Sequence, residues 1–219
     1  MGLYAKSQPG FVQNDRINTV KVFDANGRSF VNPLIDIEGS PFLNDKWNYA
    51  TVKLTDNSVH KSVPVRFNLY SEKVHFLSSN GSELTFIPGF VKEFTYVDSS
   101  NDMKVYTFRN GFPPINGQTL NSYYHVLSDG KIKYVRYLQR KVQESKNDIS
   151  GEISKRLISY EDYYILNGAS IKLLKRNKEF LLQEMADKKV EIENFLNNNK
   201  INFKDPEKVK SLIDYYNTL

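Results

Sequence analysis

From about Thr19 to Leu174, apolar and polar residues alternate in short runs, and Asn, Asp, Ser, Gly or Pro interrupts each run before it reaches helical length. Successive side chains of a strand point to opposite faces, so this pattern builds strands with one face buried. Trp47 to Leu54 is the clearest case, with Ala50, Val52 and Leu54 on one face and Tyr49, Thr51 and Lys53 on the other. Val63, Val65, Phe67 and Leu69 repeat it against Pro64, Arg66, Asn68 and Tyr70. Pro64 has no amide hydrogen, so its strand is expected at a sheet edge or to begin at Pro64. Val20 to Phe23, Phe30 to Ile37, Val91 to Val97, Lys104 to Phe108 and Ser122 to Leu127 also read as extended. So do Lys131 to Val142, Arg156 to Leu166 and Ser170 to Leu174.

Turn chemistry separates these runs at Asn26-Gly27, Thr55 to Ser58, Ser71 to Lys73, Ser78 to Gly81, Ser99 to Asp102, Ser128 to Gly130 and Asn167-Gly168. Gly111 to Gly117 is the most loop-like stretch, and Gln143 to Gly151 reads as an exposed hairpin tip or a linker. Strands joined by tight turns pair antiparallel, whereas a parallel fold needs long crossovers that are missing here.

The period changes at Lys175. Phe180, Leu181 and Met185 gather on one side of a helix ending near Ala186, and Asp187 is expected to cap a second helix carrying Ile192, Phe195 and Leu196. Asn197 to Asn199 should stop that helix. Asp205-Pro206 then starts a third, with Val209, Leu212, Ile213 and Tyr216 at i, i+3, i+4 and i+7. Its apolar face needs a partner, and the preceding helix is the simplest one. The fold class read from these features is α+β: a mainly antiparallel sheet, barrel-like or sandwich-like, with a C-terminal cap of two or three helices. The expected division is a flexible segment over 1–18, a β domain over 19–174 and a helical subdomain over 175–219.

With 219 residues, 40% hydrophobic and 25% charged, the chain can bury a core and is not of disordered composition. Cysteine is absent, which removes disulfides, thiolate metal sites and cysteine nucleophiles. The three histidines, His60, His75 and His125, follow no ligand spacing, and no phosphate-cradling or dinucleotide motif is present, so neither metal nor cofactor is expected. A net charge of +5 is thin for a polyanion binder. No apolar run approaches the roughly 20 residues of a membrane-spanning helix. The amino end carries no basic and apolar signal regions, and a start at a trimmed signal is the expectation. Asn80-Gly81-Ser82 is a glycosylation sequon whose plainer reading is an Asn-Gly turn.

Candidate chemistry is sparse. Asp36 and Glu38, two apart on an expected strand, would project from one face as an acid and base pair might, against the plainer reading of a solvated strand face. His125 follows Tyr123 and Tyr124, and alternation puts Tyr124 with Val126 and Tyr123 with His125, one pair in the core and the other at the surface. In Lys131 to Lys141, basic and aromatic residues interleave as in binders of single strands or acidic glycans, which nominates Lys133, Tyr137 and Lys141 as ligand contacts. Arg136 and Arg140 fall on the apolar face of that strand, their stems packing while the heads reach its rim. A basic edge strand that deters unwanted pairing is the structural alternative.

Three segments carry a resemblance: Gly39-Ser40-Pro41-Phe42-Leu43 with Trp47, Val63 to Tyr70, and Leu212 to Leu219. Over roughly Asp36 to the carboxyl end the chain resembles a family of uncharacterised extracytoplasmic proteins of Bacteroidota. The resemblance implies export with a signal peptide, and it implies no activity and no functional residue. The expectation is an exported binding or interaction module, periplasmic or secreted, without an evident catalytic site, its partner an envelope protein or a glycan. A glycan- or cell-wall-directed hydrolase using Asp36, Glu38 or His125 is the alternative, and polyanion or nucleic-acid binding the second.

Overall fold

A computed structural model describes residues 22–23, 29–30, 34, 36–98, 101–149 and 151–219. The segment 1–18, the Asn26-Gly27 turn and the Ser99-Ser100 pair lie outside the described residues. The described residues fall into two units, those up to Glu38 with those of 144–156, and those of 39–143 with 157–219. In the first, β1 (Val22–Phe23) pairs antiparallel with β2 (Ser29–Phe30). Phe30 to Ile37 is not one extended run: Asp36 sits in a turn at φ +66°, and Ile37 N donates back to Leu34 O at 3.2 Å. Glu38 makes an isolated parallel bridge with Arg156.

The main sheet is assembled from β3 (Asn48–Leu54), β4 (Val59–Asn68), β5 (Lys73–Leu77), β6 (Glu83–Thr85), β7 (Val91–Asp98) and β8 (Lys104–Arg109). It continues through β9 (Tyr124–Asp129), β10 (Ile132–Lys146), β11 (Ile153–Asn167) and β12 (Ser170–Leu173). Across the sheet the order is β12-β11-β10-β9-β8-β7-β3-β4-β5-β6. Two antiparallel meanders, β3 to β6 and β7 to β12, are thus joined side by side through β3 and β7. The sheet is open, with β6 and β12 as its edges, so the barrel alternative is not what forms.

Alternation along β3 and β4 buries the expected residues, Ala50, Val52, Leu54, Val65, Phe67 and Leu69. Pro64 lies inside β4 and not at its start, opposite Tyr49 of β3. It is tolerated because β5 pairs with β4 only from Val65 onward, which leaves Pro64 a local edge. Asn57 at φ +67° turns β3 into β4, and Gly81 at φ +81° turns β5 into β6. Asn80 sits in that second turn, its Oδ1 accepting from Ser82 N at 3.1 Å.

The two meanders curl toward each other. β8 and β9 share only the pairs Phe108 with His125 and Arg109 with Tyr124, and the far end of β10 reaches back to β4, where Arg140 N donates to Leu69 O at 3.1 Å. Tyr123 packs against Phe67 and Phe94, Tyr124 against Phe112 and Tyr164, and His125 against Tyr106 and Phe108, so all three are buried, contrary to the expected split into core and surface. β10 is interior and not an edge, so an anti-pairing role for its basic residues does not apply. A register shift between Tyr134 and Val135 buries both of these neighbours.

The three helices are α1 (Lys178–Glu184), α2 (Lys189–Asn198) and α3 (Pro206–Asn217). Asn177 caps α1 by accepting from Phe180 N at 2.9 Å. Asp187 does not cap α2: it lies in the short 3-10 turn Ala186–Lys188, where its carboxylate takes the Tyr216 hydroxyl at 2.8 Å and the Lys131 ammonium. Asp205 caps α3 as expected, accepting from Glu207 N at 2.9 Å. Val209, Leu212, Ile213 and Tyr216 are buried in one cluster with Ile192 of α2, and also with Ile132, Tyr134, Tyr163 and Ile165 of the sheet. The apolar face of α3 thus packs on strands as well as on a helix. At its end Asn217 imitates a strand, accepting from Ile132 N at 3.0 Å and donating to Ile132 O at 2.9 Å.

Candidate functional site

Three connections of the sheet, β4–β5, β6–β7 and β8–β9, line one cleft of about 230 Å³. The first contributes Ser71, Glu72 and Lys73, the second Pro88, and the third Gly117, Thr119, Asn121 and Ser122, with Tyr123 beside it. Each connection is shaped locally. Asn68 Oδ1 accepts from Tyr70 N at 3.0 Å and Ser71 N at 2.9 Å, closing a side-chain turn that delivers Glu72 in the left-handed region at φ +55°. A non-glycine residue held there is strained, and such strain persists only where its surroundings enforce it.

Beneath Glu72 lies Tyr137 of β10, buried, whose hydroxyl donates to Glu72 Oε1 at 2.6 Å. Burial, and after it the Glu72 carboxylate, pushes that phenol far above its ordinary range, so it stays a donor at any physiological pH. In the β8–β9 loop Asn116 and Gly117 are both left-handed, at φ +51° and +86°. Gln118 N closes their turn on Ile115 O at 2.9 Å, and Ser122 Oγ accepts from Thr119 N at 3.1 Å. Tyr123 donates to Val91 O at 2.7 Å, a bond that ties this loop to β7. Gly89 (φ +79°) lets the second loop pass close, because a Cβ there would stand 2.7 Å from Asn121 Oδ1. Next to the lining residues in sequence, Ile87 is 74% exposed and Leu120 57%.

The lining holds one carboxylate, one ammonium group and several hydroxyl and amide groups. Such a set makes hydrogen bonds of both senses; a second carboxyl group to work with Glu72 as acid and base is not in it.

The residues singled out from the sequence lie elsewhere. Asp36 and Glu38 are exposed, one in a turn and the other in an isolated bridge, so strand geometry does not pair their carboxylates. His125 is buried in a stack with Tyr106 and Phe108, and its Nδ1 faces Arg136 NH2 at 3.1 Å. A guanidinium only donates, so Nδ1 accepts and the ring is neutral. Burial, with Arg136 and then Lys104 adding to it, drops the His125 pKa to about 3. The basic and aromatic residues of β10 have separate partners. Lys133 pairs with Asp129 at 2.7 Å, Lys141 sits 5.5 Å from the Tyr160 ring centre, Arg136 reaches Glu161 at 3.3 Å, and Tyr137 is in the core.

None of the nominees lines the cleft, and Tyr137 is tied to it by its hydrogen bond to Glu72. Glu72 was legible only as one residue of a turn, and nothing in its neighbours marks it as a site. Among the described residues no three His, Asp or Glu side chains are grouped to hold a metal ion, and no helix is long and apolar enough to cross a membrane. No family model matches the chain, and neither a curated protein nor a solved structure matches it significantly.

Proposed function

We propose that the protein is an exported binding module that takes its ligand, without transforming it, at the loop-lined cleft. The observation that carries this reading is the convergence of three separate connections on one cleft whose side chains are held by turns, left-handed residues and a buried tyrosine. Loops on a rigid scaffold are where binding residues concentrate, and ordering them beforehand lowers the entropy that a ligand must offset. Export rests on the resemblance of the segments around Gly39, Val63 and Leu212.

The test is amide-resolved NMR of the full chain with a panel of saccharides, peptides and nucleotides. Perturbations are expected at residues 71–73, 117 and 119–123, with the ligand recovered intact after prolonged incubation. Perturbations confined to other regions would refute the site, and steady conversion of the ligand would favour the hydrolase.

A further inference from the structure

Within that reading we propose that the cleft accepts one neutral sugar ring of a saccharide, oriented by hydrogen bonds from its hydroxyl groups to the Glu72 carboxylate. At about 230 Å³ the cleft falls below the roughly 300–1,000 Å³ of pockets for drug-sized ligands, a size that suits a ligand as small as one sugar ring. Its charges are balanced, Glu72 beside Lys73, so neither an anion nor a cation meets a field of one sign. The remaining polar groups, on Ser71, Thr119, Asn121 and Ser122, are neutral and both donate and accept.

The loop backbone is already engaged with itself, through Gln118 N to Ile115 O at 2.9 Å, Ser122 N to Thr119 O at 3.1 Å and Gly111 N to Leu120 O at 2.8 Å. An extended peptide would recognise main-chain groups, whereas a polyol is met by side chains, and side chains are what this cleft presents. Glu72 Oε1 is occupied by Tyr137, while Oε2 accepts from no described residue. A carboxylate accepts up to about four hydrogen bonds, so Glu72 has capacity left for two adjacent ligand hydroxyls. Pro88 and the Tyr123 ring are the lining groups with apolar surface for the C–H face of a ring.

The probes are N-acetylglucosamine and glucose, each as monomer and β-1,4-linked trimer, with a neutral tripeptide amide and AMP as comparators. The readout is amide shifts and the Kd from titration of the full chain. A saccharide is expected to shift residues 71–73 and 119–123. Glu72→Gln, which keeps size and loses charge, is expected to weaken it about tenfold to a hundredfold. Tyr137→Phe, which removes only the positioning hydroxyl, is expected to weaken the same saccharide less while leaving the fold's amide spectrum otherwise in place. If the peptide or AMP shifts these residues and no saccharide does, the sugar assignment is wrong and the binding cleft stands. If no probe shifts them, both are wrong. If a saccharide binds with equal Kd to wild type and Glu72→Gln, the role of Glu72 is wrong.

Discussion

Lowering the pH from 7.5 to 4.5 is expected to destabilise the protein through His125 in particular. An unfolded histidine titrates near 6.5, and burial against Tyr106 and Phe108, with the Arg136 and Lys104 charges adding to it, drops the native value to about 3. Below pH 6.5 the unfolded chain therefore binds a proton that the native chain refuses. Stability is complete above 6.5 and falls toward pH 3 by about 1.4 kcal/mol per pH unit. Over the window from 7.5 to 4.5 the loss from this one ring is about 2.5 kcal/mol, a large share of the 5–15 kcal/mol typical of a domain.

His75, also lowered by burial, and the carboxylates contribute a background, so the informative quantity is a difference. His125→Phe keeps the ring stack and cannot charge. Urea unfolding of both proteins, followed by Trp47 fluorescence, is expected to find the variant less stable at pH 7.5, where Arg136 has lost an acceptor. The gap should then close by about 2.5 kcal/mol at pH 4.5. Parallel pH curves for the two proteins would mean that native His125 protonates near its ordinary pKa, and the buried, neutral ring would be refuted.

The Arg66 guanidinium lies over the rings of Phe42 and Trp47 at 4.1 and 4.3 Å and makes two 2.8 Å bonds to Glu83, which also holds His75 at 2.7 Å. Glu83→Gln is expected to cost about 1–2 kcal/mol and to shift the emission of Trp47, the only tryptophan; an unchanged spectrum and midpoint would refute the coupling. A Cβ on Gly130 would fall 2.4 Å from Asn217 Cγ, so Gly130→Ala is expected to expel Asn217 from the Ile132 backbone. The loss should be about 2–3 kcal/mol, with faster hydrogen exchange at the Ile132 amide, and a protected amide would contradict it. Asp205→Ala is expected to remove about 1 kcal/mol by uncapping α3, read from the thermal midpoint and the helical signal in circular dichroism.

Features that depend on near neighbours can be read from the order of residues alone. Alternation at i and i+2 marked Ala50, Val52 and Leu54 as one face, the Asn and Gly residues marked the turns, and the i, i+3, i+4, i+7 spacing from Val209 to Tyr216 marked the last helix. These are properties of a single strand, turn or helix, set by backbone sterics and side-chain direction. How the elements meet is settled by the packed chain. Strand pairing places β10 between β9 and β11, inside the sheet, and packing puts the Tyr137 phenol against Glu72, a residue 65 positions earlier. Asp187 likewise looks like a cap until Lys131 and Tyr216 arrive to bind it. Such pairings join residues far apart along the chain through desolvation and packing, which no local period encodes, and they bring the three locally shaped loops of the cleft together.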